Sequence, residues 1–300
     1  MKKRRRWRHV IDFFMTGSSL FQYLVDSGVS GELHNVFLSV SRASERIGQA
    51  ILTADIGKAG TTNVYGEEQL ALDVLSDRIV QEELRKTPEV GLIASEELDH
   101  EVKIGSGPFA VAYDPLDGSS LVNVNLSVGS IFGIYQRSTF IGAKGDEQLA
   151  SLFVVYGPRT TMMLTVKNGV KEFTLKQNGE WILTNDAISV AESGKMFAPG
   201  NLRATKYRED YVQLMEYWMR EQYTLRYSGG MVPDINQILI KGKGIFTYPG
   251  YPDAPDGKLR LLFECAPMAL LMEQAGGSAT DGTIRILEKA LTELSKRTPI

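Results

Sequence analysis

One cysteine, Cys265, stands in 300 residues, so an intrachain disulfide and a cysteine-built metal site are both excluded. It follows the apolar run Leu261–Phe263 and Glu264, where a small core residue fits. The three histidines, His9, His34 and His100, have no partners at ligand spacing, which disfavours zinc. No Gly-x4-Gly-Lys-Ser/Thr loop exists, which argues against a nucleoside triphosphatase, and no Gly-x-Ser-x-Gly exists, which removes the commonest serine-hydrolase signal. Gly105-x-Gly107 lacks a third glycine and so makes a weak dinucleotide fingerprint. The nearest approach to a long apolar run, Val10–Val25, is interrupted by Asp12, Thr16, Ser18, Ser19 and Gln22. It is too short and polar to span a bilayer, so an amphipathic N-terminal helix is expected there, without a membrane partner. Internal repeats are absent.

Charge is nearly balanced, at a formal −3. The balance hides a basic head of Lys2, Lys3, Arg4, Arg5, Arg6 and Arg8, expected to be solvated, on an otherwise acidic chain. An acidic body argues against nucleic acid as the main partner. It suits an enzyme that recruits a divalent cation. The single cysteine suits a reducing compartment, and a cytoplasmic location is expected.

Apolar residues recur at helical spacing in Val36, Val40, Ala43, Ile47 and Ile51, and again in Leu72, Leu75 and Ile79, in a segment that ends before Pro88. Strand-like runs follow at Phe109–Tyr113, Ser127–Tyr135 and Leu152–Tyr156. Asn168-Gly169 and Asn178-Gly179 then join β-rich segments (Met162–Lys167, Val170–Lys176, Glu180–Leu183) as tight hairpins. Tyr211, Leu214, Met215 and Trp218 mark a further helix. Pro233 opens another, closed by Gly242; Gly244–Tyr248 reads as a short strand; Pro267 starts a helix that stops at Gly276-Gly277. Pattern breaks near Glu192–Asn201 suggest three parts: a head and first helix over 1–30, an N-terminal half over 31–195, and a C-terminal half over 196–300. The expected fold class is an α/β layered sandwich, with helix and sheet layers alternating across two halves.

The most informative stretch is Asp114-Pro115-Leu116-Asp117-Gly118-Ser119-Ser120. Two carboxylates three residues apart, held by a proline, can face one cation; the Gly-Ser-Ser that follows offers backbone N–H groups and hydroxyls to a phosphate. The loop should sit at the carboxyl end of the strand that Tyr113 ends. Asp-Pro-x-Asp-Gly also makes an ordinary surface turn or a weak calcium loop. Further carboxylates favour the functional reading. Glu96-Glu97 follow Leu92–Ser95, and Glu67-Glu68 precede the second helix. Asp73 has Leu72, Val74 and Leu75 as neighbours, and Glu264 sits in Leu261–Cys265, where a carboxylate is costly to bury unless paired or metal-bound. Hard oxygen ligands in this number suit Mg²⁺, with Mn²⁺ as a substitute. The chemistry suggested is metal-assisted phosphate-ester hydrolysis.

These motifs resemble the metal-dependent sugar bisphosphatases that act on fructose 1,6-bisphosphate and sedoheptulose 1,7-bisphosphate, from about residue 32 to 286. Besides Ser95-Glu96-Glu97 and the Asp114–Ser120 loop, Gly66–Asp73, Tyr156–Thr161, Pro199–Thr205, Leu225–Asp234 and Lys258–Glu264 match in order. Pro199–Thr205 and Arg226–Asp234 look more like the sedoheptulose type. The resemblance implies hydrolysis of the 1-phosphate of sedoheptulose 1,7-bisphosphate, with fructose 1,6-bisphosphate, or both sugars, as the alternative. It implies that Glu96, Asp114, Asp117, Glu264 and the Leu116 carbonyl hold Mg²⁺, and that Glu67 approaches a further metal or the catalytic loop. Glu97 and Asp73 would activate water. Gly118, Ser119 and Ser120 would bind the 1-phosphate; Asn201, Arg203, Tyr227, Tyr248 and Lys258 the distal phosphate; Met231 would line the sugar. It further implies a homodimer or homotetramer, with Arg226 reaching into the neighbouring subunit's site.

The departures carry information. Leu121 stands where fructose enzymes have asparagine, and Pro108-Phe109 where AMP-regulated ones have Lys-Tyr, so AMP inhibition is not expected. Ile56–Thr61 has no cysteine, which excludes the thiol switch of the plastid enzymes at that place. Glu67 replaces the family's usual aspartate. An inositol-monophosphatase-type enzyme is disfavoured by the lack of Trp-Ile before Asp114. A non-catalytic anion-binding scaffold is disfavoured because every expected carboxylate position is filled.

Overall fold

The structure is a computed structural model that describes residues 17–53, 58–62 and 68–300. The basic head, the first part of the expected N-terminal helix and Glu67 lie outside those residues. What is described of that helix is α1 (Leu20–Asp26), shorter than the 10–25 stretch, with Ser19 Oγ accepting the Gln22 N–H as its N-terminal cap.

Helices α2 (Gly31–Thr53) and α3 (Ala71–Arg85) form where the apolar spacing placed them. In α2 the buried stripe is Leu33, Val36, Phe37, Val40, Ala43 and Ile47, the i, i+3/i+4 rhythm that puts one face against a neighbour. The strands are β1 (Lys58–Thr62), β2 (Glu68–Leu70), β3 (Val90–Ser95), β4 (Val102–Lys103), β5 (Phe109–Asp117), β6 (Val128–Tyr135), β7 (Ala150–Tyr156), β8 (Thr160–Thr165), β9 (Val170–Leu175), β10 (Trp181–Ile188), β11 (Met196–Pro199), β12 (Thr224–Leu225) and β13 (Ile245–Thr247). β1 and β2 pair with each other, and eight strands form one sheet in the order β10-β9-β8-β7-β6-β5-β3-β4. From β6 to β10 it is an antiparallel meander with the two expected Asn-Gly turns, where Gly169 and Gly179 take the left-handed conformation (φ 69° and 82°). The one parallel pairing in this sheet is β3 with β5.

The sheet is covered on both faces, so its central strands are buried along their whole length. Phe132, Leu152 and Val154 pack with Phe37, Val40, Ile79 and Val80 of the first helices. Their neighbours Ile131 and Phe153 point the other way, onto Val232, Ile235 and Ile238 of α5 (Met231–Lys241) and Leu270 and Leu271 of α6 (Ala266–Gln274). Beyond α5 lies a second, parallel sheet in the order β12-β11-β13. Its Phe197 packs on Tyr211, Met215 and Trp218 of α4 (Glu209–Arg220). Helix and sheet layers therefore alternate, the layered α/β sandwich expected. No helix among the described residues is long and apolar enough to cross a membrane.

Candidate active site

Parallel pairing brings the first carboxylates together. β3 and β5 run side by side with Ser95 opposite Tyr113, and the Glu96 N–H donates to the Tyr113 carbonyl at 3.1 Å. Glu96-Glu97 thus leave β3 beside Asp114. The strand does not end at Tyr113 as the apolar run suggested but continues through the motif to Asp117. In a regular strand residues three apart face opposite sides. Here Asp114 pairs with Ile131 and Asp117 with Gly129, three steps on β5 against two on β6, so a bulge falls at Pro115-Leu116. It is held by the Leu116 N–H on Asp114 Oδ1 at 2.9 Å and by the Ser130 hydroxyl on the Pro115 carbonyl at 2.7 Å. Proline is tolerated there because the bulge asks for no ladder N–H. The extra residue turns Asp114 and Asp117 to the same side.

Asp117 is fixed from below by α5, whose first amides donate to it: Met231 N–H to Oδ1 at 3.3 Å and Val232 N–H to Oδ2 at 2.7 Å. Glu264 arrives from a π-helical turn, Leu261–Cys265, that leads into α6. Its Oε2 accepts the Arg260 N–H at 2.6 Å, while the Arg260 Nε donates to Glu96 Oε1 at 3.1 Å. Arg260 is 1% exposed and so places two acidic side chains at once.

Asp114, Asp117 and Glu264 each offer an oxygen within 4.8 Å of the others, and all three are buried. Burial, then the neighbouring Glu96, Asp117 and Glu264 charges, push Asp114 well above the ordinary carboxylate range. Burial and Glu96 do the same to Glu264, and burial raises Asp117 to about 6 against the two α5 amides. Three buried carboxyl groups repelling one another are poorly arranged for the protein alone and well arranged for a hard divalent cation, so the donor set fits Mg²⁺ or Mn²⁺. Glu96 faces the same cavity beside this trio, through its pair with Arg260.

The cavity holds about 350 Å³. Asp73, Glu96, Glu97, Asp114, Leu116, Asp117 and Glu264 form its acidic end, with Gly118, Ser119 and Ser120 alongside. Gly118 takes a left-handed conformation (φ 75°) and starts a 3₁₀ turn, Ser119–Val124. Tyr227, Met231, Tyr248 and Lys258 line the remainder. Gly229, Gly230, Phe246 and Leu259 also line it and were not foreseen. Arg260 was not foreseen either; its four-residue spacing to Glu264 was the available signal. Three expected binders lie off the lining. Asn201 spends its side-chain amide on the Pro249 carbonyl at 2.6 Å and takes a left-handed conformation (φ 52°) that turns the chain after Gly200. Arg203 and Arg226 are exposed. Asn201 still acts near the site: a Cβ on Gly200 would lie 2.4 Å from Tyr248 Cδ2, so this turn packs directly on Tyr248.

Comparison with known proteins agrees with this geometry. The sequence model of the fructose-1-6-bisphosphatase N-terminal domain matches residues 20–186, and that of the C-terminal domain residues 190–300. A class 1 fructose-1,6-bisphosphatase of Pelobacter propionicus is 49% identical over 284 residues, 94% of this chain and 87% of the relative. The chloroplastic sedoheptulose-1,7-bisphosphatase of Triticum aestivum is 42% identical over 95% of this chain and 73% of the relative. The holo-form crystal structure of Leishmania major fructose-1,6-bisphosphatase superposes with a TM-score of 0.89 at 33% identity, covering 95% of this chain and 94% of the other. The chain therefore belongs to the fructose-1,6-bisphosphatase family, whose members are phosphoric monoester hydrolases acting on sugar bisphosphates.

Proposed function

We propose that this protein hydrolyses the 1-phosphate of ketose bisphosphates with Mg²⁺ (or Mn²⁺), accepting both fructose 1,6-bisphosphate and sedoheptulose 1,7-bisphosphate. The carrying observation is the buried trio Asp114, Asp117 and Glu264 at one end of a cavity whose walls elsewhere present Tyr227, Tyr248 and Lys258. One end fits a cation and the reacting phosphate; the hydroxyls and ammonium fit a second phosphate. The more similar relative carries the fructose name, while the Pro199–Thr205 and Arg226–Asp234 segments favour the sedoheptulose type, which supports a site open to both.

In this reading Asp114, Asp117, Glu264, Glu96 and the Leu116 carbonyl hold the metal. A divalent cation bound there would supply neutralisation of phosphate oxygens, a more acidic water and stabilisation of a leaving alkoxide. The Gly118–Ser120 amides and hydroxyls hold phosphate oxygens as charge shifts in the transition state. Glu97 and Asp73 take the proton of the attacking water, and Glu67 assists from the segment before β2. Tyr227, Tyr248 and Lys258 bind the distal phosphate and Met231 lies against the sugar. Arg203 and Asn201 support that end from outside the lining, and Arg226, exposed here, completes the site of a neighbouring copy in a homodimer or homotetramer. The N-terminal half, ending near residue 195, supplies most of the metal and 1-phosphate groups, and the C-terminal half the distal clamp. A cytoplasmic setting suits this chemistry.

The test is phosphate release from both bisphosphates, with and without Mg²⁺, by wild type and Asp117→Ala. Mg²⁺-dependent release from both sugars, within tenfold in kcat/KM and lost in the variant, is expected. A tenfold difference corresponds to about 1.4 kcal/mol of transition-state binding. A larger preference assigns the protein to one sugar, and release from neither sugar, or release that does not depend on metal, overturns the reading.

A further inference from the structure

Asp234 is 1% exposed, lies one turn into α5, and does not line the cavity. Its Oδ1 accepts the Ser228 N–H at 2.8 Å. Its Oδ2 is also buried and has no hydrogen-bond partner among the described residues. A carboxylate in that position is costly, and burial raises it to about 6 although contacts with Ser228 and with the Gly229 backbone lower it. The loop it holds is short and tightly folded. The Ser228 hydroxyl lies 3.2 Å from the Gly230 N–H, which it accepts, and 3.3 Å from the Gly230 carbonyl, while Gly229 is left-handed (φ 103°).

That loop joins the two ends of the cavity. Immediately before it comes Tyr227, on the cavity wall. Immediately after it come the Met231 and Val232 amides that hold Asp117. Its last residue abuts Gly118 of the Asp114–Ser120 loop, since a Cβ on Gly118 would lie 3.3 Å from Gly230 Cα. Any shift of Ser228–Gly230 therefore moves Tyr227 relative to Asp117 and Gly118.

We propose that Asp234 is a positioning residue that, through the Ser228 N–H, fixes the span between the metal end and the distal-phosphate end of the cavity and so sets which length of bisphosphate is bound. This rests on the function proposed above. Asp234 touches no substrate atom. Were it only an acidic stabiliser of the first turn of α5, its loss would lower thermal stability and leave substrate selection alone.

The measurement is steady-state kinetics with fructose 1,6-bisphosphate, sedoheptulose 1,7-bisphosphate and fructose 1-phosphate, which lacks the distal phosphate. Asp234→Ala should raise KM for both bisphosphates at least tenfold and change their kcat/KM ratio at least fivefold. It should hold kcat within threefold and leave KM for fructose 1-phosphate within twofold. Asp234→Asn keeps an acceptor for Ser228 and should restore wild-type KM. Ser228→Ala, which loosens the same turn at Gly230, should give a smaller rise of the same pattern and serves if the alanine at 234 does not fold. A KM that rises equally for the monophosphate, a lowered Tm with unchanged KM, or an asparagine variant as impaired as the alanine would overturn the proposal. A wild-type protein inactive on both bisphosphates overturns the functional reading itself, and an active wild type with the wrong variant pattern overturns only the role of Asp234.

Discussion

Asp114 shows how a single side chain acts in both stability and chemistry. It lies against Asp117 and Glu264, and repulsion plus burial work against its ionised form. Asp114→Asn should therefore lower Mg²⁺-dependent turnover by at least about 10²-fold. The same change should raise the Tm of the metal-free protein, because a neutral amide is buried there without the cost of charge repulsion or of proton uptake. Differential scanning calorimetry in chelator checks the second half; an unchanged or lowered metal-free Tm would show that the trio is not strained. Protonation follows the same logic. Asp117 is raised to about 6, and Asp114 and Glu264 are pushed well above the ordinary carboxylate range by burial, whereas a coordinating carboxylate must be ionised. Mg²⁺ binding at pH 7 should release protons, and affinity should fall as pH drops through 6. Titration calorimetry in buffers of different ionisation enthalpy reads the release, and identical heats would refute it.

Two elements meet without room to spare where α5 crosses β6. Gly129 lies opposite Asp117 in the ladder, and a Cβ on it would come within 2.3 Å of Val232 Cγ1. Gly129→Ala must push the start of α5 away from the sheet, and with it the amides that hold Asp117. We expect a loss of about 1–3 kcal/mol in stability, together with weaker Mg²⁺ binding. Denaturant unfolding and a metal titration test the two parts. On the opposite face, α2 and α3 are joined through Glu83, which accepts from Arg42 Nε at 3.2 Å, Arg46 Nη1 at 2.7 Å and Lys86 Nζ at 2.8 Å. Burial pushes Glu83 up, but the Lys86, Arg46 and Arg42 bonds outweigh it and bring it from 4.5 to about 2. A carboxyl whose folded value is lowered stabilises the protein above its unfolded value and loses that contribution as pH falls from 4.5 towards 2. With partly exposed cations the contribution at neutral pH is about 1–2 kcal/mol. Glu83→Gln should cost that much at pH 7, and the difference from wild type should vanish near pH 2. A gap independent of pH would show that the charge is not what matters.

For the whole molecule, a cation held by the acidic trio would couple the parts. Asp114 and Asp117 come from the first sheet, Glu264 from the turn before α6, and Asp117 is held by α5. A cation at that junction binds the folded chain and not the unfolded one. At a concentration a hundred times its dissociation constant it should add about 2.7 kcal/mol, a rise in Tm on the order of 5 °C. Chelator should reverse the shift, and Asp117→Asn should abolish it. A wild-type Tm indifferent to Mg²⁺ would contradict a metal site built from these three residues.

Much of this molecule could be read from its residues one after another. The helical stripe Val36–Ile51, the Asn-Gly turns and the apolar, β-rich runs of the meander are local signals, because side-chain direction repeats every 3.6 residues in a helix, short apolar runs bounded by turns suit buried strands, and turn residues carry their own backbone preference. The acidic residues of the site were legible for a similar reason: a carboxylate within Leu261–Cys265, or beside proline and glycine in Asp114–Ser120, is chemically out of place unless something binds it. What sequence could not decide depends on contacts between residues far apart in the chain. The bulge that turns Asp114 and Asp117 to one side arises from pairing with β6, the buried Arg260 is defined by Glu96, 164 positions away, and the Asn201 side chain is turned to the Pro249 carbonyl. Propensity and pattern are properties of neighbours in sequence, whereas a cavity's shape and the energy of its charges belong to groups that only folding brings within a few ångströms.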